Sequence, residues 1–264
     1  MRVLHHLPLS PFSRKIRLVL TEKRLPFELQ LEKVWERRDD FRVEPVSPAE
    51  AIRRALAIDG RPVVINDGSD DPGGGAPGDG TYLLRAMLEA DLSEACFGFI
   101  VDPETAAQAH EAGAGHTIAV RLGGKTDDLH GAPIETEAYV KCLTDGRFIH
   151  STPMGRGAPA NYGPCARLTI SGVDVIVSSF RTQTLDQEVF LLHGIDVTRS
   201  KIVALKSSDH FRAAFRPIAA AIIGCHTRGL VSADLTTFDY RRLERPIWPL
   251  DRDLAWPPGP HPAG

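Results

Sequence analysis

The strongest constraint on the fold is a glycine-rich stretch that lies between an apolar run and a helical pattern. The stretch, DPGGGAPGDGT, covers residues 71–81, the apolar run PVVI covers 62–65, and the helical pattern YLLRAML covers 82–88. A strand, a glycine-rich loop and a helix in this order expose backbone N–H groups at the helix N-terminus, where an anion or a polar substrate group can bind. The alternative is a long turn that needs glycine only for its backbone angles.

Strand and helix patterns alternate around this stretch. Ser47, Pro48 and Glu50 form a capping-box pattern, which predicts a helix that runs towards Gly60. Further strands and helices are predicted in turn at residues 95–101, 103–113, 117–122, 186–192, 202–205 and 209 to about 221. Alternation of this kind predicts a parallel sheet covered by helices.

The middle of the chain has a different pattern. Residues 134–143 alternate strictly between apolar and polar, which predicts an antiparallel strand with one solvated face. Asp145-Gly146 is a hairpin signal, and residues 166–171 and 173–179 predict another hairpin. The predicted fold class is therefore α/β, with a mixed, mostly parallel sheet, covering helices and an antiparallel β insertion.

Charge and apolar content exclude some functions. The net charge is −3, and a nucleic-acid-binding protein would more often carry a basic excess, so we expect no nucleic-acid partner. Since no apolar run reaches about 18 residues, no membrane span is expected. The N-terminus has no apolar secretion signal, which predicts a cytoplasmic protein.

The cysteines and histidines do not form a recognisable metal motif. The four cysteines lie far apart with no C-x-x-C pair, which favours buried thiols in a reducing compartment: Cys96, Cys142, Cys165 and Cys225. No H-E-x-x-H pattern occurs. We therefore expect no metal site and no resident cofactor within this chain.

A second strand-to-helix turn, KSSDH at residues 206–210, could lie beside the glycine-rich stretch. If the strand before it runs parallel to residues 62–65, both turns open at the same edge of the sheet, where ligands of α/β folds bind. The substrate-binding candidates at this edge are Asp71, Gly73, Gly74, Gly75, Asp79, Lys206, His210 and Arg212. The alternative is that Asp209 only caps a helix and that His210 packs nearby.

The first residues predict a β-α-β fragment, with strands at 2–6 and 27–31 and a helix at 13–23. Three segments of this region resemble the start of a bacterial glutathione S-transferase: HLPLSPFSRKIR at 6–17, EKRLPFE at 22–28 and WERR at 35–38. The resemblance ends near residue 42.

This resemblance implies a thioredoxin-like fragment with glutathione at the helix N-terminus. The hydroxyl of Ser10, or as a second choice that of Ser13, would stabilise the glutathione thiolate, because a hydrogen-bond donor and a positive helix end both lower a thiol pKa. The alternative is that these serines only cap the helix.

Residues 47–251 resemble the C-terminal domain of the microcystinase C (MlrC) family of zinc metallopeptidases. The segments that carry the resemblance are DPGGGAPGD at 71–79, RLGGK at 121–125, GVDV at 172–175, GID at 194–196, KSSDHFRAAF at 206–215 and RPIWPLD at 245–251. It implies that the zinc ligands and the peptidase chemistry belong to a large N-terminal domain that is not found in this chain. Zinc is therefore expected only together with that domain.

These resemblances together predict a fusion of three regions. They are a truncated glutathione S-transferase-like fragment at 1–42, an MlrC C-terminal-like α/β domain at 43–251 and a Pro-rich tail at 252–264. The first hypothesis is an accessory domain or a remnant of a peptide-amide hydrolase. The alternatives are a glutathione-binding protein and an interaction module that completes a separately encoded zinc domain. The expected partners are such a domain or a second copy of the chain, and whether the chain is itself an enzyme stays open at this point.

Overall fold

The computed structural model describes residues 2–6, 11–31 and 46–251. The chain divides into two compact units, Met1–Glu44 with Glu244–Gly264 and Pro45–Leu243. None of the helices in the described ranges is long and apolar enough to cross a membrane.

The smaller unit contains the predicted β-α-β arrangement. Strands β1 (Arg2–His6) and β2 (Phe27–Leu31) pair in parallel, and helix α1 (Pro11–Glu22) lies between them in the chain. Leu18 and Val19 of α1 are 61% and 40% exposed.

The described part of the larger unit contains five α-helices and ten strands, besides three single-turn 3₁₀ helices. In chain order they are α2 (Pro48–Ala57), β3 (Val63–Asp67), α3 (Tyr82–Glu89), β4 (Ala95–Val101), α4 (Pro103–Ala112), β5 (Thr117–Leu122), β6 (Ile134–Thr144), β7 (Arg147–Ile149), β8 (Pro159–Asn161), β9 (Cys165–Ile170), β10 (Val173–Ser178), α5 (Glu188–Leu192), β11 (Ile202–Lys206), α6 (Arg212–Phe215) and β12 (Ala221–Cys225).

The capping box before α2 is only half formed. The hydroxyl of Ser47 accepts a hydrogen bond from the Glu50 N–H, and Pro48 is the first helical residue, as predicted. The Glu50 carboxylate does not return to Ser47 but binds the guanidinium groups of Arg53 and Arg54. The hydrogen bonds from these two groups, helped by their positive charges, therefore hold the pKa of Glu50 at about 2, below its ordinary value.

Eight of the strands form one sheet in the order β12-β3-β11-β4-β10-β9-β6-β5. The pairs from β12 to β10 are parallel, whereas β10-β9, β9-β6 and β6-β5 are antiparallel. The predicted α/β class with a mixed, mostly parallel sheet is confirmed. The prediction that β5 continues the parallel series is wrong: β5 pairs antiparallel with β6, and the chain between them contains no helix that could make a parallel crossover.

The two faces of the sheet bury two separate apolar clusters. Val63 and Ile65 of β3 belong to the cluster that includes α2, α3 and α4, while Val64 belongs to the cluster with α5 and α6. Because both faces are covered, β3 is apolar at successive positions. Strand β6 instead alternates between buried and exposed side chains, as its sequence predicts.

The helix predicted from residue 209 to about 221 is wrong. Helix α6 has only four residues, and Ala221 begins edge strand β12. Pro217 explains the early end, since proline has no N–H to donate to the Ala213 carbonyl and so cannot continue the helix. The hairpin signal at Asp145-Gly146 is also misleading, because β7 pairs with β8 and not with β6.

Candidate functional site

The two predicted turns meet at one edge of the sheet. Strands β3 and β11 are parallel, with Asp67 opposite Lys206 at their carboxyl ends, so the condition for a shared edge is confirmed. Beyond the strands, the N–H of Ser208 donates to Asp71 Oδ2 at 2.8 Å. This hydrogen bond joins the glycine-rich loop to the turn after β11.

The N–H groups of the glycine-rich loop are bound by the loop's own carboxylates. Asp71 Oδ1 accepts from Gly73 at 2.8 Å, and the two carboxylate oxygens of Asp70 accept from Gly78 at 2.8 Å and Gly80 at 2.6 Å. These donors are therefore not available to an added anion. The loop is a turn held together by side chains from its own first residues.

Asp70 also forms a buried ion pair with Lys206. The Lys206 ammonium lies 2.6 Å from Asp70 Oδ2 and 2.5 Å from the Gly80 carbonyl oxygen, and both charged side chains are at most 2% exposed. Lys206 was a candidate for contact with substrate. The structure instead places its charge in the interior, where it fastens the loop to β11.

Two further polar side chains, His130 and Asp67, lie on the same interior side of the edge as the pair of Asp70 and Lys206. We call this the closed side. The His130 Nδ1 lies 2.7 Å from Asp127, and its Nε2 accepts from the Leu230 N–H at 3.2 Å, so the proton of the neutral ring is on Nδ1. Burial raises the pKa of Asp67 to about 6, although the positive charge of Lys206 acts to lower it. The closed side is thus a dense interior network of charged and polar groups.

The open side of the same edge carries a hydrogen-bonded row that ends at the surface. Gln183 donates through Nε2 to Asp71 Oδ1 and to the Ser207 hydroxyl, each at 3.0 Å. The Gln183 Oε1 lies 2.9 Å from His210 Nδ1, and His210 is exposed. His210 therefore lies at the surface, beside Gln183. We call Asp71, Gln183, Ser208 and His210 the crevice.

Gly73 is required for this arrangement. A Cβ at position 73 would lie 2.3 Å from Oε1 of Gln183, so only glycine allows the amide to reach Asp71 without a shift. Gly74 lies beside Val231 and not beside the crevice, since a Cβ there would meet Val231 Cγ1 at 2.8 Å. Gly75 adopts a left-handed backbone with φ of 103°.

Asp79 and Arg212 lie apart from the crevice network. Asp79 Oδ2 accepts from the N–H groups of Lys125 and Thr126, at 2.8 and 2.9 Å. The Arg212 guanidinium pairs with Asp209 at 3.0 Å on the surface. Of the predicted site residues, the structure thus brings together Asp71, Gly73 and His210 in the crevice.

Sequence reasoning missed several residues of this edge. They are Asn66, Asp67, Asp70, His130 and Gln183. The sequence could have indicated Asp70, because Asp70 and Asp71 both follow the buried strand β3. The side chains of two successive residues can point in opposite directions, so one can face the interior and the other the crevice. No sequence signal indicated Gln183, because it lies 112 positions from Asp71 in the sequence.

No group of three or more His, Cys, Asp or Glu side chains within residues 2–6, 11–31 and 46–251 could hold a metal ion. The donor set of the edge does not fit zinc, because His130 and Asp70 already bind protein partners. Cys96 and Cys165 are buried, and burial raises the pKa of each thiol to about 12. The glutathione candidate Ser10 lies outside the described residues, and Ser13 is the third residue of α1.

Fold and site together define an α/β domain whose polar crevice lies at the carboxyl ends of parallel strands, the place where such folds bind ligands. The family model described as MlrC C-terminus matches residues 65–242. The chain therefore belongs to the MlrC C-terminus family.

Two relatives agree with this assignment. Microcystinase C from Sphingomonas sp is 32% identical over 203 residues, which are 77% of this chain and 38% of that protein. A crystal structure of a candidate metallopeptidase from Mesorhizobium sp. BNC1 superposes with a TM-score of 0.74 at 27% identity, over 84% of this chain and 44% of that one. The chain thus spans about two fifths of the length of each relative.

The N-terminal region has its own similarities. A family model described as glutathione S-transferase, N-terminal domain, matches residues 4–64. FtsZ-localized protein A from Caulobacter vibrioides is 52% identical over 40 residues, which are 15% of this chain and 18% of that protein. The first match extends beyond the smaller unit, because α2 and the start of β3 belong to the larger one.

Proposed function

We propose that this chain acts as an accessory domain of a peptide-amide hydrolase of the MlrC family, together with a zinc-bearing domain. Family membership supports the reaction class, and the match to 38% of Microcystinase C supports the role of one domain among several. The single observation that carries the proposal is the crevice, where Ser208, Gln183 and His210 gather around Asp71.

The role assigned to the crevice is hydrogen bonding to substrate. The described residues hold no group of three or more potential zinc ligands, and no step of hydrolysis is assigned to them. His210 is exposed, whereas Asp71 is only 4% exposed and holds the surrounding groups in place. Groups that are held by neighbours in this way can bind an amide without much reorganisation.

A complementation assay tests the proposal. The purified full chain is added to a recombinant segment of Microcystinase C that precedes the matched region, with zinc present, and hydrolysis of a peptide 4-nitroanilide is measured. We expect the rate to rise and to saturate as the chain is added. His210→Ala should reduce the gain, while Arg212→Ala, which changes a surface pair outside the crevice, is the matched control.

Two results would count against the accessory role. Stoichiometric zinc in the purified chain alone, found by metal analysis, would contradict the proposal that the metal belongs to another domain. Association of the two proteins without any gain in rate would favour the interaction module instead.

Glutathione binding is a second candidate, which the match at residues 4–64 and the parallel β1-β2 pair favour. Retention of the purified chain on immobilised glutathione tests it. Ser10→Ala should weaken retention if the Ser10 hydroxyl holds the thiolate, whereas Ser13→Ala should do so if Ser13 takes that role. Equal retention of the wild type on a resin without glutathione would exclude this function.

A further inference from the structure

Hydrogen bonding in the crevice determines which nitrogen of His210 carries the proton. A carboxylate only accepts hydrogen bonds, so the group that Gln183 turns towards Asp71 must be its amide nitrogen. The amide oxygen of Gln183 then faces His210 at 2.9 Å. Since that oxygen also only accepts, Nδ1 of His210 is the protonated nitrogen.

The other ring nitrogen of His210 is left as an acceptor. A neutral imidazole has one N–H and one lone pair, so a proton on Nδ1 leaves the lone pair on Nε2. Among the described residues no hydrogen bond involves this nitrogen, and the His210 side chain is exposed. The crevice therefore presents an oriented acceptor to whatever enters it.

A second acceptor lies beside the same turn. The Asn66 nitrogen donates to the carbonyl oxygens of Ser207 at 3.0 Å and Ser208 at 3.3 Å. The Asn66 oxygen is buried and has no hydrogen-bond partner among the described residues. Gly224 lies opposite Asn66 in the pairing of β12 with β3, and the Asn66 oxygen is enclosed by the protein.

We propose that Asp71 and Gln183 are positioning residues that hold His210 in the Nδ1–H form, and that His210 Nε2 accepts a hydrogen bond from a substrate amide N–H. This inference rests on the proposed function for the identity of the substrate. The ligand class follows from the oriented acceptor His210 Nε2, since such an acceptor favours a ligand that brings N–H donors.

The first measurement uses the full chain alone. Long-range proton–nitrogen NMR spectra of the labelled protein, above the pH at which His210 is protonated, report the tautomer of each histidine. We expect the Nδ1–H form for His210 in the wild type and a shift towards the Nε2–H form in Gln183→Leu. Gln187→Leu is the matched control, because Gln187 lies on the same segment but donates to the Ala214 carbonyl.

Two results of this measurement would overturn the inference. A wild-type His210 in the Nε2–H form would overturn the inference without any variant, and so would a Gln183→Leu spectrum in which the His210 tautomer is unchanged. A variant that alters the tautomers of several histidines together would indicate misfolding, and Gly73→Ala then provides the test, since its new methyl group displaces the Gln183 amide from the crevice side.

The second measurement separates the inference from the proposed function. In the complementation assay, Gln183→Leu should lower the rate gain about tenfold, as expected for one misdirected hydrogen bond, and Gln187→Leu should not. A wild-type Nδ1–H tautomer without any rate gain would overturn the proposed function and the substrate role of Nε2, while positioning by Gln183 would stand. A rate gain with wild-type His210 in the Nε2–H form would overturn both the positioning and the acceptor role of Nε2, while the accessory function would stand.

Discussion

Asp70 and Asp71 are neighbours in the sequence, yet they serve opposite sides of the same edge. The Asp70 carboxylate points into the interior, where it binds Lys206 and the N–H groups of Gly78 and Gly80. The Asp71 carboxylate points to the crevice, where it binds Gln183 and the Ser208 N–H. One loop therefore combines a structural anchor with a candidate binding group.

The difference between the two sides lies in their exposure and in the charge of their partners. Asp70 is paired with a buried cation, so its loss would leave an uncompensated charge in the interior. Asp71 has only neutral donors, and its row of hydrogen bonds ends at exposed His210. We expect substitutions on the closed side to change stability and those on the open side to change binding.

Removal of the buried ammonium should have the largest effect. Lys206→Met leaves Asp70 charged and unpaired in the interior, which should lower the free energy of unfolding by about 3–5 kcal/mol. Urea unfolding followed by circular dichroism measures this loss. The matched control is Lys141→Met on the exposed face of β6, where a change within about 0.5 kcal/mol is expected. Equal effects at the two positions would contradict the view of the closed side as an anchor.

The second prediction concerns Asp67 and pH. Its native pKa of about 6 lies above the ordinary value of 3.8 because of burial, so between these values the folded state holds a proton that the unfolded state has lost. The free energy of unfolding therefore falls as the pH rises through this window, because the buried Asp67 carboxyl must lose its proton. Relative to wild type, Asp67→Asn should gain about 3 kcal/mol in unfolding free energy between pH 4 and pH 7. Stability curves that stay parallel from pH 4 to 7 would contradict this.

Gly80 on the closed side and Gly73 on the open side allow the same substitution, glycine to alanine, to be compared on both sides of the edge. A Cβ at Gly80 would lie 2.7 Å from Asp70 Oδ2 and 3.3 Å from the His130 carbonyl, so Gly80→Ala should cost about 1–3 kcal/mol. At Gly73 the nearest atoms belong to the movable end of Gln183, so Gly73→Ala should cost less than about 1 kcal/mol. Thermal unfolding compares the two, and a larger loss at Gly73 would reverse the comparison.

The smallest stability effect is expected at His210. The side chain is exposed and its described hydrogen bond is to Gln183, so His210→Ala should change the free energy of unfolding by no more than about 0.5 kcal/mol. The same variant should reduce the gain in the complementation assay. A large loss of stability would place His210 in the structural network and remove the distinction between the two sides.

Local patterns predicted most elements of the fold but not all of them. The continuous apolar run of β3 and the alternating run of β6 were sufficient for their assignment, since the number of buried faces determines the period. The prediction at residues 209–221 was wrong, because Pro217 lacks the N–H that would continue the helix beyond Phe215. The parallel pairing of β11 with β3 was only a conditional prediction. The two strands lie far apart in the sequence, and neither sequence alone indicates its partner.

The sequence by itself determined the elements that depend on near neighbours. The Ser47 cap, the glycine-rich turn after β3 and the alternation of strands and helices follow from contacts within a few residues. Only the tertiary structure decided that Lys206 meets Asp70 over 136 positions and that Gln183 meets Asp71 over 112. The physical reason is that the order of strands in the sheet, and not the local backbone, brings these side chains to one edge. Which of two adjacent aspartates anchors the loop, and which faces the crevice, was decided at that level.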